Sequence, residues 1–157
     1  MDKRGFTQVF IYIIILVAAA LIIVFGFSSL NDLINLEENV ETTKFLQIFQ
    51  DEIDYLYVLP SGSAKNIELV VPANIQRICF VDHDNEIDYS KIPSSELAKQ
   101  IDIRQENLFF LSGTKRIPPA FINNLVPLDN PECIPIENGI LKARITNIGK
   151  KIQINES

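Results

Sequence analysis

The stretch Val9 to Leu30 (VFIYIIILVAAALIIVFGFSSL) constrains this chain more than any other feature. No charged side chain occurs between Gly5 and Asn31, so no face of a helix built from it is polar. Its 22 residues would rise about 33 Å as a helix, close to the ~30 Å hydrocarbon core of a bilayer. Lys3 and Arg4 precede the run, and Asp32, Glu37, Glu38 and Glu41 follow it. The basic flank stays on the cytoplasmic side of such a segment. The sequence therefore predicts a single-pass membrane protein, N-terminus in, with the lipid bilayer as a partner and the rest of the 157 residues extracytoplasmic.

Three readings of this N-terminus compete. Ala18-Ala19-Ala20 could serve as the cleavage site of a secretory signal, but Leu21 to Phe27 (LIIVFGF) would then become an exposed apolar mature terminus. An uncleaved signal-anchor is the second reading. The third rests on Lys3-Arg4-Gly5-Phe6-Thr7: a short basic leader, a Gly, Phe-Thr and then an apolar helix. This resembles the leader of type IV prepilins and related class III signal peptides, over about 25 residues, and most of all the archaeal pilin-like proteins. The resemblance implies a prepilin-type peptidase that cuts between Gly5 and Phe6. It also implies a subunit that self-assembles through its N-terminal helix. Phe10 stands at the fifth mature position, where many bacterial pilins carry an acid, and Gln8 puts a polar group at the third.

No Pro or Gly interrupts residues 31 to 59, so the helix is predicted to continue past the apolar run. Leu33, Leu36 and Val40, then Phe45, Phe49, Ile53 and Leu56, mark an apolar stripe at helical spacing. Pro60-Ser61-Gly62-Ser63 ends it. Charge concentrates here: Asp32, Glu37, Glu38, Glu41, Asp51, Glu52 and Asp54 stand against the single base Lys44, within a net charge of −6. That acidity and the absence of a basic surface exclude a nucleic-acid binder on composition.

Beyond Gly62 the period changes. Ile67, Leu69 and Val71 alternate with their neighbours, Arg77–Asp82 and Leu108–Leu111 read as strands, and Ile152 and Ile154 suggest a last one. Asn138-Gly139 between Cys133–Glu137 and Ile140–Asn147 predicts a hairpin, because both turn residues tolerate positive φ. A short helix over Ser95–Gln100 is expected with Ser94 as its cap. Pro118, Pro119, Pro127, Pro131 and Pro135 mark an extended, irregular surface segment. The fold class is thus α+β: a long N-terminal transmembrane and stalk helix followed by a small, sandwich-like β domain. Its divisions are a leader (1–5), a transmembrane helix (6–30), a helical stalk (31–60) and a β-rich domain (61–157). Cys79 and Cys133, the only cysteines, are expected to form a disulfide in an oxidising compartment.

Little in the chain points to chemistry. Asp82, Asp84, Glu86 and Asp88 alternate like the acids of a calcium loop, but Ile87 and Pro93 stand where Gly and Glu are needed, so a solvated hairpin loop accounts for them. His83, the only His, has no partner pattern that would make it a general base. No nucleophile elbow and no phosphate-cradling loop occur. The chain is expected to be no enzyme and to hold no cofactor or metal. The functional expectation is a membrane-anchored, pilin-like or pseudopilin-like structural subunit, with a monomeric signal-anchored binding domain of the cell envelope as the alternative.

Overall fold

The computed structural model describes the backbone of residues 3–113 and 117–157, and the side chains of residues 12–23, 40–113 and 117–157. Its elements are α1 (Lys3–Tyr57), β1 (Ala64–Val70), β2 (Ile75–Phe80), a 3-10 turn (Tyr89–Lys91), α2 (Ser95–Ile103), β3 (Leu108–Ser112), β4 (Leu125–Pro127), β5 (Glu132–Pro135), β6 (Ile140–Asn147) and β7 (Ile152–Glu156). The chain divides into two compact units, 1–39 and 40–157.

In the second unit the strands form two sheets. One runs β1-β6-β7-β4 and the other β3-β2-β5. All neighbours are antiparallel except β4 and β7, which run parallel. Both sheets turn an apolar face to one core. Ile67, Leu141, Ala143, Ile145, Ile152 and Ile154 come from the first sheet, and Ile78, Phe80, Leu108, Phe110 and Ile134 from the second. The residues of α1 from Phe45 complete it: Phe45, Phe49, Ile53 and Leu56 recur every three or four positions and are all buried. The ring of Phe49 lies 6.0 Å from that of Phe45 and 5.8 Å, edge-on, from that of Phe80. The far face of the second sheet buries Cys79, Val81 and Phe109 under Leu97 and Ile101 of α2. Ser94 caps α2, its hydroxyl accepting from the Glu96 N–H.

Two expectations are corrected here. Among the described residues, no helix is long and apolar enough to cross a membrane. This overturns the transmembrane part of the fold class and the single-pass, N-in localisation. Nor do residues 31–60 form a stalk distinct from the β-rich domain. The residues of α1 from Val40 onward belong to the same unit as the sheets, and their apolar stripe is the middle of its core.

The Asn138-Gly139 expectation is half met. Both residues have positive φ (53° and 74°), as the turn requires. They do not close a hairpin ladder, because only Glu137 and Ile140 bridge across the turn. β5 pairs with β2 in one sheet, and β6 pairs with β1 and β7 in the other, so the turn is the corner where the chain changes sheets. The proline-rich segment is also more regular than expected. Pro127 lies in β4 and Pro135 in β5, each at the end of its sheet's strand order, where a missing N–H costs no ladder bond. The loop from Asp82 leads into the 3-10 turn and α2, not back along a hairpin.

A buried amide ties α1 to the sheet. The last carbonyls of a helix have no intrahelical donor, and Pro60 prevents continuation. The Asn147 side-chain N–H groups, at the end of β6, donate to the carbonyls of Leu56 (2.9 Å), Tyr57 (3.2 Å) and Leu59 (2.9 Å). Its Oδ1 accepts from the Gly149 N–H at 2.7 Å. Asn147 is 2% exposed, so no water can replace those bonds. Asn147→Ala is expected to lower the unfolding free energy by about 2–4 kcal/mol, read by urea denaturation, because it strands carbonyls in a dry site.

The expected disulfide is present. Cys79 and Cys133 are directly opposite on β2 and β5 and joined at 2.05 Å, 54 residues apart in sequence. A loop of that length restricts the unfolded chain by about 4 kcal/mol. Cys79→Ala/Cys133→Ala should cost about that much stability, with the same fold by far-ultraviolet circular dichroism.

Candidate functional site

Residues 12–23 of α1 are apolar throughout, and every one of them is exposed. Tyr12, Ile13, Ile14, Ile15, Leu16, Val17, Leu21, Ile22 and Ile23 range from 51% exposed at Leu21 to 72% at Ile22. Twelve residues make more than three helical turns, so the apolar surface runs around the helix and is not one stripe. Such a surface is costly to leave in water, and contiguous apolar area of this extent is the kind that interaction sites present. The contrast with residues 45–56 is direct: there the stripe is one-sided and has its own core to fill.

Lys3, Arg4, Gly5 and Phe6 lie at the start of α1, with backbone inside its bounds; their side chains fall outside those described. Cys79 and Cys133 lie in the second unit, joined to each other, and serve as a staple, not as chemistry.

The acidic loop is held by a residue that sequence reasoning passed over. The Asn130 amide donates to the carbonyls of Asp82 (2.7 Å) and Glu86 (3.0 Å), while its Oδ1 accepts from the Asp82 N–H at 3.0 Å. Its backbone carbonyl accepts from the Asp88 N–H at 2.8 Å. Within the loop, the Asp82 carboxylate accepts from the Asp84 N–H and the Asn85 amide. The Asp88 carboxylate accepts from the Ser90 hydroxyl and N–H, which hold its pKa below the usual carboxylate value. Among the described residues, no group of three or more His, Cys, Asp or Glu is arranged to hold a metal ion. The carboxylates of Asp82 and Asp88 are spent on shaping the loop.

A polar cleft of about 300 Å³ lies beside this loop, lined by Asp82, His83, Asp84, Phe121, Lys150 and Lys151 among others. His83 Nε2 is 2.9 Å from the carbonyl of Glu106. A carbonyl can only accept, so Nε2 carries the proton and Nδ1 is bare in the neutral ring. The ring meets Phe109 edge-on at 6.4 Å. Lys151 sits 3.5 Å from Asp84 and 3.9 Å from Asp82, so both acids already have a cation. Asn107, also unremarked in the sequence, is 8% exposed and pairs through both ends of its amide with the backbone of Ile122, at 2.7 and 2.8 Å. It fastens the segment before β4 to the start of β3. No local pattern announces either asparagine, because each bonds backbone far along the chain.

No family model matches the chain, and neither a curated protein nor a solved structure matches it.

Asn130→Ala removes the donor that gathers three loop carbonyls. It is expected to speed amide hydrogen exchange at Asp82 and Asp88 at least tenfold, while amides of β6 keep their protection.

Proposed function

We propose that the chain is a pilin-like or pseudopilin-like structural subunit that assembles with copies of itself through the apolar N-terminal part of α1. The observation that carries this reading is the exposure, on every side, of the apolar side chains of residues 12–23. Burying apolar surface stabilises by about 25 cal/mol per Å², and identical segments packed side by side bury all of theirs. The leader Lys3-Arg4-Gly5-Phe6-Thr7, with its resemblance to prepilin leaders, supports the same reading. A prepilin-type peptidase would release Phe6 as the first mature residue. The second unit supplies a folded, disulfide-stapled body that needs nothing from the apolar segment for its own core.

The test begins with the intact mass of the protein isolated from its own source. A chain that lacks Met1 to Gly5 and starts at Phe6 is expected. Leu16→Asp then asks whether the segment drives assembly. Leu16 is 70% exposed, so the change breaks no contact within the described chain. High-mass assemblies seen by sedimentation and electron microscopy should disappear, while the thermal unfolding of residues 40–157 is unchanged. A chain that keeps its leader and sediments as a monomer before any substitution overturns the reading.

A further inference from the structure

The four ends of the two sheets are not alike. β4 is three residues long and carries Pro127, and β5 is four long and carries Pro135. Short strands and prolines blunt an edge against further pairing. At β3, Leu108 exchanges backbone hydrogen bonds with Ala120 at 2.9 and 3.0 Å, so another segment covers part of that edge. β1 is different. It is seven residues long, contains neither Pro nor Gly, and stands at the end of its sheet with β6 as its one partner among the described strands.

The geometry says which groups this edge presents. The bonds that bracket β1 are Asn147 N–H to Ser63 O at 2.8 Å and Val71 N–H to Gly139 O at 2.9 Å, both on odd-numbered residues of the β1 side. Antiparallel pairs alternate between bonded and non-bonded. Lys65, Ile67 and Leu69 therefore face β6 with their peptide groups, and those of Ala64, Asn66, Glu68 and Val70 point outward. Those four side chains share the outer face of the sheet; Ala64, Asn66 and Glu68 are exposed, and Val70 is 80% exposed. An edge lysine usually repels a new strand. Lys65 does not serve that purpose here. Its ammonium is 2.5 Å from Glu52 and 5.5 Å from the centroid of the Tyr55 ring, both on α1, so its charge is matched inside the chain.

We propose that β1 is a docking edge for β1 of a second copy, paired antiparallel about a two-fold axis through Ile67. The sequence AKNIELV is complementary to itself in this register alone. Every outward peptide of one copy meets an outward peptide of the other, and the whole strand overlaps. Asn66 faces Glu68 of the second copy, an amide donor against a carboxylate, and Ala64 covers the exposed Val70 of the second copy. A shift of two residues either sets Glu68 against Glu68 or sets Asn66 against Asn66, and shortens the ladder in both cases. Like charges directly opposite are destabilising. The pairing does not rest on assembly through the apolar segment.

The test uses the full chain carrying Leu16→Asp, so that the apolar segment cannot bring strands together. Two variants, Asn66→Cys and Glu68→Cys, are oxidised mildly, each alone and as an equal mixture. The mixture is expected to yield at least tenfold more disulfide-linked dimer on non-reducing gels than either variant alone. Adding Val70→Pro, which removes an outward N–H and spares the ladder to β6, should reduce that yield at least tenfold. No dimer in the mixture, with native far-ultraviolet spectra, overturns the proposal. Equal yields from all three samples overturn it as well. Loss of large assemblies with the cross-link retained separates this pairing from assembly through residues 12–23.

Discussion

The second unit depends on the burial of one helical stripe. Phe45, Phe49, Ile53 and Leu56 enter the space between two sheets that are connected to each other at their ends but share no ladder. A four-stranded and a three-stranded sheet of this size have little interior of their own, and small domains of this kind are marginal. The helix supplies two phenylalanine rings and two branched side chains in a single element. Asn147 then fixes where that element ends, since its amide takes the helix's last carbonyls and binds them to the end of β6. One residue thus ties the end of the helix to the end of β6.

The disulfide works at the opposite boundary. Cys79 lies among Val81, Leu97, Ile101 and Phe109, in the smaller cluster between β2, β3 and α2. It joins β2 to β5, whose four residues and terminal Pro135 would make a weak edge if left to hydrogen bonds alone. Stability is therefore distributed between a large core closed by a helix and a small one closed by a covalent bond. Three asparagine side chains, at 107, 130 and 147, manage the irregular backbone between them. Each does so by donating to or accepting from main-chain groups that no strand or helix reaches.

Much of the β structure was legible in the residues because its signals are local. The alternation of Leu141, Ala143 and Ile145 with Lys142, Arg144 and Thr146 marks β6 over the very residues it occupies, and Ser94 marks the start of α2. The disulfide apart, the inferences that failed were ones that needed a partner. The positive-φ turn at Asn138-Gly139 formed as expected, yet the chains on either side went to different sheets. A turn dictates the direction of the chain and not which strand lies beside it. Pro127 and Pro135 suggest an extended, irregular surface segment, although proline excludes only a central position and both strands sit at edges. Residues 31–60 suggest a stalk because a one-sided apolar stripe looks the same whether it covers a domain or fills one. Asn107, Asn130 and Asn147 carry no local signal, since the backbone carbonyls to which their amides donate lie between 15 and 91 residues away.

The two parts of α1 pose opposite problems to water, and composition alone explains it. From Phe45 onward, charged and apolar residues alternate with the helical period, so one face can be buried and the other solvated within a single chain. Residues 12–23 have no such division, and no packing onto one surface can satisfy all sides of a helix at once. Only an environment that surrounds the helix removes that area from water, and identical helices provide one as a bundle grows, each supplying neighbours to the others. In the assembly proposed above, the cost of ordering a subunit would be offset only when several meet, which would make association cooperative. The assembly proposed above would leave the folded body independent of the apolar segment, because a body that relied on those residues for its own core would have to unfold in order to join.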